Sequence, residues 1–116
     1  MNGNQQLFRG TLTTIILKLL SEEGKMYGYE MTKKVKEQTE GSISLTEGAL
    51  YPALHKLEAD GLVDVTIENV GNRPRKYYSL TKKGKKEVTN KLLELNTFIW
   101  QIQTLLNLKS GNILPN

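Results

Sequence analysis

The side chains best suited to binding phosphate are concentrated in one stretch, residues 71–86, "GNRPRKYYSLTKKGKK". Arginine makes bidentate contacts with phosphate and fits a narrow minor groove, and lysine adds point charge. Residues 71–91 hold eight basic residues and one acid, so this window carries +7 while the whole chain carries +4. Such unevenness predicts a surface that meets a polyanion such as nucleic acid, although the commoner explanation of a charge run is a solvated face. The seven basic residues of the stretch 71–86 are Arg73, Arg75, Lys76, Lys82, Lys83, Lys85 and Lys86.

Other chemistries lack the residues that they need. The 116-residue chain has no cysteine, which excludes disulfides, thiolate nucleophiles and cysteine-ligated zinc. His55 is the only histidine, and neither a carboxylate pair nor a Gly-rich phosphate loop is evident. We therefore expect no enzyme, no cofactor and no metal site. No apolar run is long enough to span a membrane and the start has no signal-peptide pattern, so a cytoplasmic protein without a membrane partner is expected.

Three helices are predicted ahead of the basic stretch. Apolar spacing places the first over residues 5–22 and the second over residues 28–38. Two starts compete for the third, because Ser44 and Glu47 have capping-box spacing while Thr46 alone is a good N-cap. We prefer Thr46, which leaves residues 43–45 for a short strand. Pro52 then lies inside the third helix, so that helix either kinks or has an irregular first turn.

A β-hairpin carries the first half of the basic stretch. Val63, Val65 and Ile67 alternate with polar residues, which predicts a half-buried strand. Gly71, Asn72 and Pro74 supply turn chemistry. In the returning strand, Tyr78 is expected to face the core and Tyr77 to be partly exposed, because successive strand residues point to opposite faces.

A long helix follows the hairpin, with Thr81 as its N-cap. Its apolar residues step by four and three, which is the spacing of a coiled-coil seam. A helix of about 27 residues would be roughly 40 Å long and would overhang the rest of the chain. The simplest cover for the overhanging seam is a second copy. The seam consists of Val88, Leu92, Leu95, Ile99, Ile102 and Leu106.

Three short helices followed by a hairpin make a winged helix-turn-helix. The fold class is therefore mainly α (α+β), with a long C-terminal dimerisation helix. Residues 1–80 form the expected DNA-binding domain, residues 81–110 the dimerisation helix and residues 111–116 a disordered tail. In such a fold the third helix enters the major groove and the hairpin lies along the backbone or minor groove.

Three successive segments, "YGYEMTKKVKE", "TEGALYPALHKLEADGLV" and "GNRPRKYYSLTKKGKK", resemble the signatures of PadR-family transcriptional regulators in content, order and spacing. The resemblance covers residues 7–90, and the single helix after the wing resembles the short form of the family. It implies a homodimeric repressor of a nearby gene, acting on palindromic double-stranded operator DNA. It also implies dimerisation through the last helix with help from the first, including Leu12, and relief by a small hydrophobic or aromatic effector. The alternative is a winged-helix module for protein interaction or for non-sequence-specific DNA binding.

The predicted DNA contacts lie at the start of the third helix and on the wing. Tyr51 either reaches the DNA, as the tyrosine before "PAL" in this family suggests, or is half-buried against the wing. Gly48 either allows close approach of the DNA or is a packing glycine. Arg73 is the strongest wing candidate because it lies at the tip, whereas Arg75 or Lys76 turns inward. The full set is Thr46, Glu47, Gly48, Tyr51, His55, Lys56, Asn72, Arg73, Arg75 and Lys76.

Aromatic residues suggest where an effector would bind. In some short PadR-like proteins, an aromatic-lined cavity between the C-terminal helices takes flat hydrophobic compounds. Phe8, Phe98 and Trp100 are the residues that could line such a cavity here, and simple packing at the dimer interface is the alternative. The family's tryptophan is expected earlier on the helix, where Leu95 stands, and this departure argues against a drug-sensing role.

Overall fold

The structure, a computed structural model, describes the backbone of residues 3–108 and the side chains of residues 6–108. It contains five helices and a three-stranded antiparallel sheet with strand order β1-β3-β2. The predicted tail, residues 111–116, lies outside the described residues. In chain order the elements are α1 (Gly3–Arg9), α2 (Leu12–Glu23), β1 (Lys25–Tyr27), α3 (Gly28–Gln38), α4 (Glu47–Ala59), β2 (Val63–Val70), β3 (Arg73–Leu80) and α5 (Lys82–Leu106).

The first predicted helix is in fact two helices. Both the backbone N–H and the hydroxyl of Thr11 donate to the carbonyl oxygen of Phe8, each over 2.9 Å. This tight turn, next to Gly10, ends α1 and lets α2 begin at Leu12. A local hydrogen bond from a threonine competes with the helical ladder, and glycine has low helix propensity, so the prediction of one continuous helix was wrong.

The strand predicted at residues 43–45 was also wrong. Those residues form an extended loop in which the N–H of Ile43 donates to the hydroxyl of Thr39 over 3.1 Å. The third strand is β1 instead, which pairs with β3 so that Met26 lies opposite Tyr78. Both of these side chains are buried. A strand of three residues is too short for the alternation of apolar and polar residues that would predict it from the sequence.

The third predicted helix is confirmed as α4, with Thr46 as its N-cap. The hydroxyl of Thr46 accepts a hydrogen bond from the N–H of Ala49 over 3.2 Å. The helix continues through Pro52. Proline removes the bond that would reach the carbonyl of Gly48, but Gly48 is exposed, so water can serve that carbonyl. The leucine stripe of the opposite face, which consists of Leu50, Leu54 and Leu57, is buried.

The predicted hairpin is present and is joined by a two-residue turn, while Pro74, which the sequence assigned to the turn, lies in β3 instead. Gly71 and Asn72 have φ values of +55° and +66°, and Val70 lies opposite Arg73. Positive φ at both central residues is the signature of a type I′ turn, whose twist matches that of the flanking strands. Tyr78 is buried in the core and Tyr77 is half-buried, as predicted. Ile67 shares the face of Tyr78 but is 66% exposed, because the wing extends beyond the core.

The long helix is attached to the domain at its first turn. The hydroxyl of Thr81 accepts from the N–H of Gly84 over 3.0 Å, and the N–H of Thr81 donates to the carbonyl of Leu62 over 3.0 Å. Val88 is the last residue of α5 to be buried within the chain. The remaining turns project from the domain, and the molecule with this helix is 52 Å across in its longest dimension.

Candidate nucleic-acid interface

The face of α4 opposite its leucine stripe is exposed. Glu47, Tyr51 and His55 follow one another at four-residue intervals and so lie along one line of the helix. Thr46, Gly48 and Lys56 are also exposed. The ammonium of Lys56 pairs with the carboxylate of Asp60 at 3.4 Å on the surface. Exposed pairs are worth only about 0–1 kcal/mol, so this pair does not keep Lys56 from a phosphate.

Gly48 has no packing partner. A Cβ built on this residue would meet no heavy atom within 4 Å. Its φ is not among the positive values of the chain, so backbone conformation does not require glycine either. Of the two explanations offered by the sequence, the packing glycine therefore has nothing to pack against, and close approach of a ligand to the α4 backbone remains.

The tip of the wing presents Asn72 and Arg73 to solvent. Arg73 is the first residue of β3, directly after the turn. It makes no ion pair within the described part of the chain. The guanidinium is therefore available to a phosphate or a minor groove.

Arg75 and Lys76 are separated by the alternation of β3. Lys76 is exposed, whereas Arg75 is half-buried with its guanidinium carbon 4.5 Å from the centre of the Tyr27 ring. Of the two residues, Arg75 is thus the one that contacts the rest of the domain. The same outer face of the sheet carries Tyr77, which meets Tyr27 edge to face at 5.3 Å.

Tyr51 is exposed over 37% of its surface. Its hydroxyl oxygen lies so near Gly28 that a Cβ built there would stand 2.7 Å from it. The ring borders a cleft of about 420 Å³ between α4 and the wing, and the contact of Tyr51 with DNA stays a prediction. The sequence did not assign the residues of "YGY" that line this cleft, namely Tyr27, Gly28 and Tyr29.

Two groups near the wing have shifted pKa values. Burial raises the pKa of Tyr78, with smaller contributions from Tyr51 and Glu58, so its phenol stays neutral. A hydrogen bond to Glu68 raises the pKa of Lys25 and keeps the ammonium charged. Neither group supplies a base or a nucleophile near neutral pH.

The lysines at the start of α5 do not have equal roles. The ammonium of Lys83 donates to the backbone carbonyl of Asp60 over 3.0 Å and so binds the C-terminus of α4. This contact satisfies a carbonyl that the helix leaves free. Lys82, Lys85 and Lys86 are exposed and form no ion pair among the residues described. They add positive charge to the surface beside the wing.

Comparison with known proteins decides what this arrangement is. A model of the transcriptional regulator PadR-like family matches residues 16–90, which include α3, α4 and the wing. The chain belongs to the PadR-like family of transcriptional regulators. The winged-helix fold, the DNA-binding activity and the regulatory, non-enzymatic role predicted from the sequence are confirmed by this membership.

Relatives of this PadR-like regulator include solved structures. A transcriptional regulator from Clostridium thermocellum is 31% identical, with a TM-score of 0.75 over 88% of this chain and 95% of that one. A PadR family transcriptional regulator from Eggerthella lenta is 30% identical, with a TM-score of 0.76 over 90% of this chain and 89% of that one. Transcriptional regulator YqjI of Escherichia coli is 32% identical over 84 residues, which are 71% of this chain and 39% of YqjI.

The residues predicted to dimerise this PadR-like regulator lie in different surroundings. Leu12 is 2% exposed within its own chain, so it has no surface left for a partner, and its assignment is corrected to the core. Leu92, Leu95 and Ile102 are half-buried, while Ile99 and Leu106 are exposed.

The three predicted effector residues do not share a cavity within one chain. Phe8 is buried and borders a groove of about 500 Å³ formed with Leu7, Ile15 and Val35. Phe98 and Trp100, on α5, do not border that groove and are 57% and 64% exposed. Within one chain Phe8 thus lies apart from Phe98 and Trp100, and a shared effector site for the three residues stays a prediction that depends on a second copy. No helix within residues 3–108 is long and apolar enough to cross a bilayer.

Proposed function

We propose that this PadR-like regulator is a homodimeric repressor that binds a palindromic operator near the gene it controls. Residues 1–80 would serve as the DNA-binding domain and residues 81–110 as the dimerisation helix. The observation that carries the proposal is the uncovered apolar seam of α5 on a chain that presents a single α4 and a single wing. A seam of this kind needs a second copy, and two copies related by a two-fold axis need a two-fold operator.

The seam supports a dimer because it continues after the domain ends. Beyond Val88, apolar side chains still recur every three or four residues, but the chain covers Leu92, Leu95 and Ile102 only in part and leaves Ile99 and Leu106 exposed. Contiguous apolar surface of this extent on a small domain marks an interaction site. The exposed apolar residues of α5 are Leu93, Phe98, Ile99, Trp100, Leu105 and Leu106.

The dimensions of α4 support insertion into DNA. A helix with its side chains is about 10–12 Å in diameter, which fits the major-groove width of about 12 Å, and the exposed line from Glu47 to His55 would then face the base edges. Thr46, Glu47, Gly48 and Tyr51 would lie at the groove entrance. Arg73 and Asn72, at the wing tip, would reach the neighbouring backbone or minor groove.

Relief by a small hydrophobic effector is the second part of the proposal. It is supported by the exposure of Phe98 and Trp100 beside the seam. Two aromatic side chains from each copy would face a space between paired α5 helices, where a flat apolar molecule could stack. Full packing of both rings in the dimer interface is the competing arrangement.

Fluorescence anisotropy tests the repressor. The duplex is the chain's own upstream promoter, and a random duplex of equal length at the same salt concentration is the control. We expect the promoter to bind more tightly by at least about 10³-fold, the lower end of specific regulators. Equal affinity for the two duplexes would instead support the interaction-module or non-specific alternative. Addition of an aromatic dye then tests the effector, since an occupied cavity quenches Trp100.

A further inference from the structure

The junction between β1 and α3 contacts both of the elements that face DNA. Tyr27 lies beneath Arg75 of the wing, and Gly28 lies against Tyr51 of α4. We infer that Tyr27 and Gly28 are positioning residues that fix the wing relative to α4. The expected effect on DNA binding rests on the proposed function, whereas the positioning of the wing can be tested in the free protein.

Tyr27 is itself fixed at three points. It forms the last pair of β1 with β3, opposite Tyr77. Its N–H donates to the Glu30 carboxylate over 3.0 Å at the start of α3. Its ring meets the Tyr77 ring at 70°, which is a favoured edge-to-face geometry. A tyrosine held by the sheet, by the start of α3 and by the Tyr77 ring has little conformational freedom. A group bound to the face of its ring is therefore held in a defined position.

Arg75 is the group bound to that face. A guanidinium within about 6 Å of a tyrosine ring centre is attracted by the ring quadrupole. On the same face of the sheet, Lys25 lies 5.1 Å from the Tyr77 ring centre and pairs with Glu68, the residue opposite Arg75. Arg75 and Arg73 are two residues apart, about 7 Å along the strand. Holding Arg75 therefore limits how far the tip can swing.

Gly28 provides the second contact. A Cβ on this residue would lie 2.7 Å from the Tyr51 hydroxyl oxygen, 3.2 Å from its Cζ and 3.4 Å from Cδ2 of Leu50. Gly28 does not have a positive φ, so its lack of a side chain serves this approach and not an unusual backbone. Tyr51 is touched at the far end of its side chain, so a methyl group at Gly28 would displace the ring and leave the backbone in place.

The two contacts are made by adjacent residues that line the same cleft. Tyr27 and Gly28 line the space of about 420 Å³ that separates α4 from the wing. Setting this separation determines which base pairs α4 reads when the wing is on the backbone. Positioning should thus affect discrimination between sequences more than the number of phosphates contacted.

Exchange of Tyr27 for phenylalanine or leucine tests the positioning role on DNA. The probes are a duplex selected by the wild-type protein from a randomised library and a random duplex. Tyr27→Phe keeps the ring face and should bind the selected duplex within about 2-fold of wild type, whereas Tyr27→Leu should bind about 3-fold to 10-fold more weakly, as loss of a partly exposed cation–π contact implies. The salt dependence and the random-duplex affinity should not change. Equal binding by both variants, or an equal loss in both, would overturn the inference, the latter because it implicates the hydroxyl.

Amide hydrogen exchange in the free protein tests the geometry without DNA. Tyr27→Leu should exchange faster than Tyr27→Phe in residues 73–76, with equal rates in α2. Arg75→Gln, with the tyrosine intact, should raise the exchange rates of the same amides. It replaces Tyr27→Leu as the test variant if Tyr27→Leu fails to fold. Unchanged wing exchange in the folded variants would overturn the inference. If the wild type selects no sequence, the proposed function fails while exchange still decides the positioning role.

Discussion

Gly84 in the first turn of α5 lies directly against the backbone carbonyl of Leu62, so that a Cβ on Gly84 would overlap the carbonyl oxygen and stand 3.0 Å from its carbon. The N–H of Thr81 donates to the same carbonyl. The close approach thus attaches the long helix to the loop that joins α4 to β2. The position of any second copy bound along α5 depends on this attachment.

Gly84→Ala should therefore destabilise the protein. The methyl group meets backbone, which cannot rotate away, so α5 must shift from the domain. We expect a loss of about 1–3 kcal/mol, in the range of overpacked sites. Urea unfolding measures the loss as a lower midpoint at unchanged slope. Lys85→Ala, at an exposed neighbouring position, is the control and should stay within about 0.5 kcal/mol. Equal stability of the two variants would contradict the close approach.

Arg73→Ala should weaken DNA binding in a salt-dependent manner. If the exposed guanidinium contacts one phosphate, the slope of log affinity against log salt should fall by about 1. Lys83→Ala removes the same charge from a side chain that already binds the Asp60 carbonyl, so its slope should change little. Anisotropy titrations at four salt concentrations measure both slopes. Identical slopes in the two variants would show that charge alone, and not its place on the wing, matters.

The sequence predicts those parts of the fold that depend on local signals. The Thr46 cap and the leucine spacing define α4, and the pair Gly71–Asn72 defines the turn, because each acts over a few residues. β1 was missed because it forms only when Tyr77, Tyr78 and Ser79 are placed beside it. The division between α1 and α2 depends on one hydroxyl of Thr11, which spacing does not reveal.

The candidate site was predictable in its outline and not in its internal contacts. Exposure of the α4 face and of Arg73 follows from amphipathic spacing and from the turn. The position of Arg75 does not, because its partner Tyr27 is 48 residues away in the chain. The surroundings of Phe8 could not be predicted for the same reason, since its neighbours come from the packing of three helices.

Ile99→Glu should separate the proposed dimer into monomers. Ile99 is exposed in the single chain and lies on the seam, so a charge there would be buried without a partner at the interface. Gln101→Glu places the same charge at an exposed position on the opposite side of the same helix and should leave the dimer intact. Light scattering after gel filtration measures the two masses. A dimer that survives Ile99→Glu would place the interface elsewhere.

Gly48→Ala should raise stability while lowering DNA affinity. Nothing lies within 4 Å of the new methyl group, so the helix gains about 0.5–1 kcal/mol from alanine propensity. The same methyl group would obstruct the close approach of DNA to the α4 backbone. Gly28→Ala is the contrasting variant, because its methyl group meets Tyr51 and should not stabilise the protein. Thermal unfolding and anisotropy measure the two effects, and a Gly48→Ala variant with unchanged DNA binding would remove Gly48 from the interface.

Tyr78 should make the protein less stable at alkaline pH. Burial raises the pKa of its phenol above the ordinary value of 10.0, so the folded state favours the neutral form more than the unfolded state does. The stability gained is fully present below pH 10 and is lost as the pH rises through the folded pKa. The pKa of Lys25 is also raised from 10.5, so its ion pair with Glu68 weakens in the same direction. Tyr78→Phe should therefore flatten part of the decline above about pH 10, measured by urea unfolding at stepped pH. Tyr29→Phe, at an exposed tyrosine, should leave the decline as it is. The same decline in Tyr78→Phe as in wild type would show that the buried phenol is not its source.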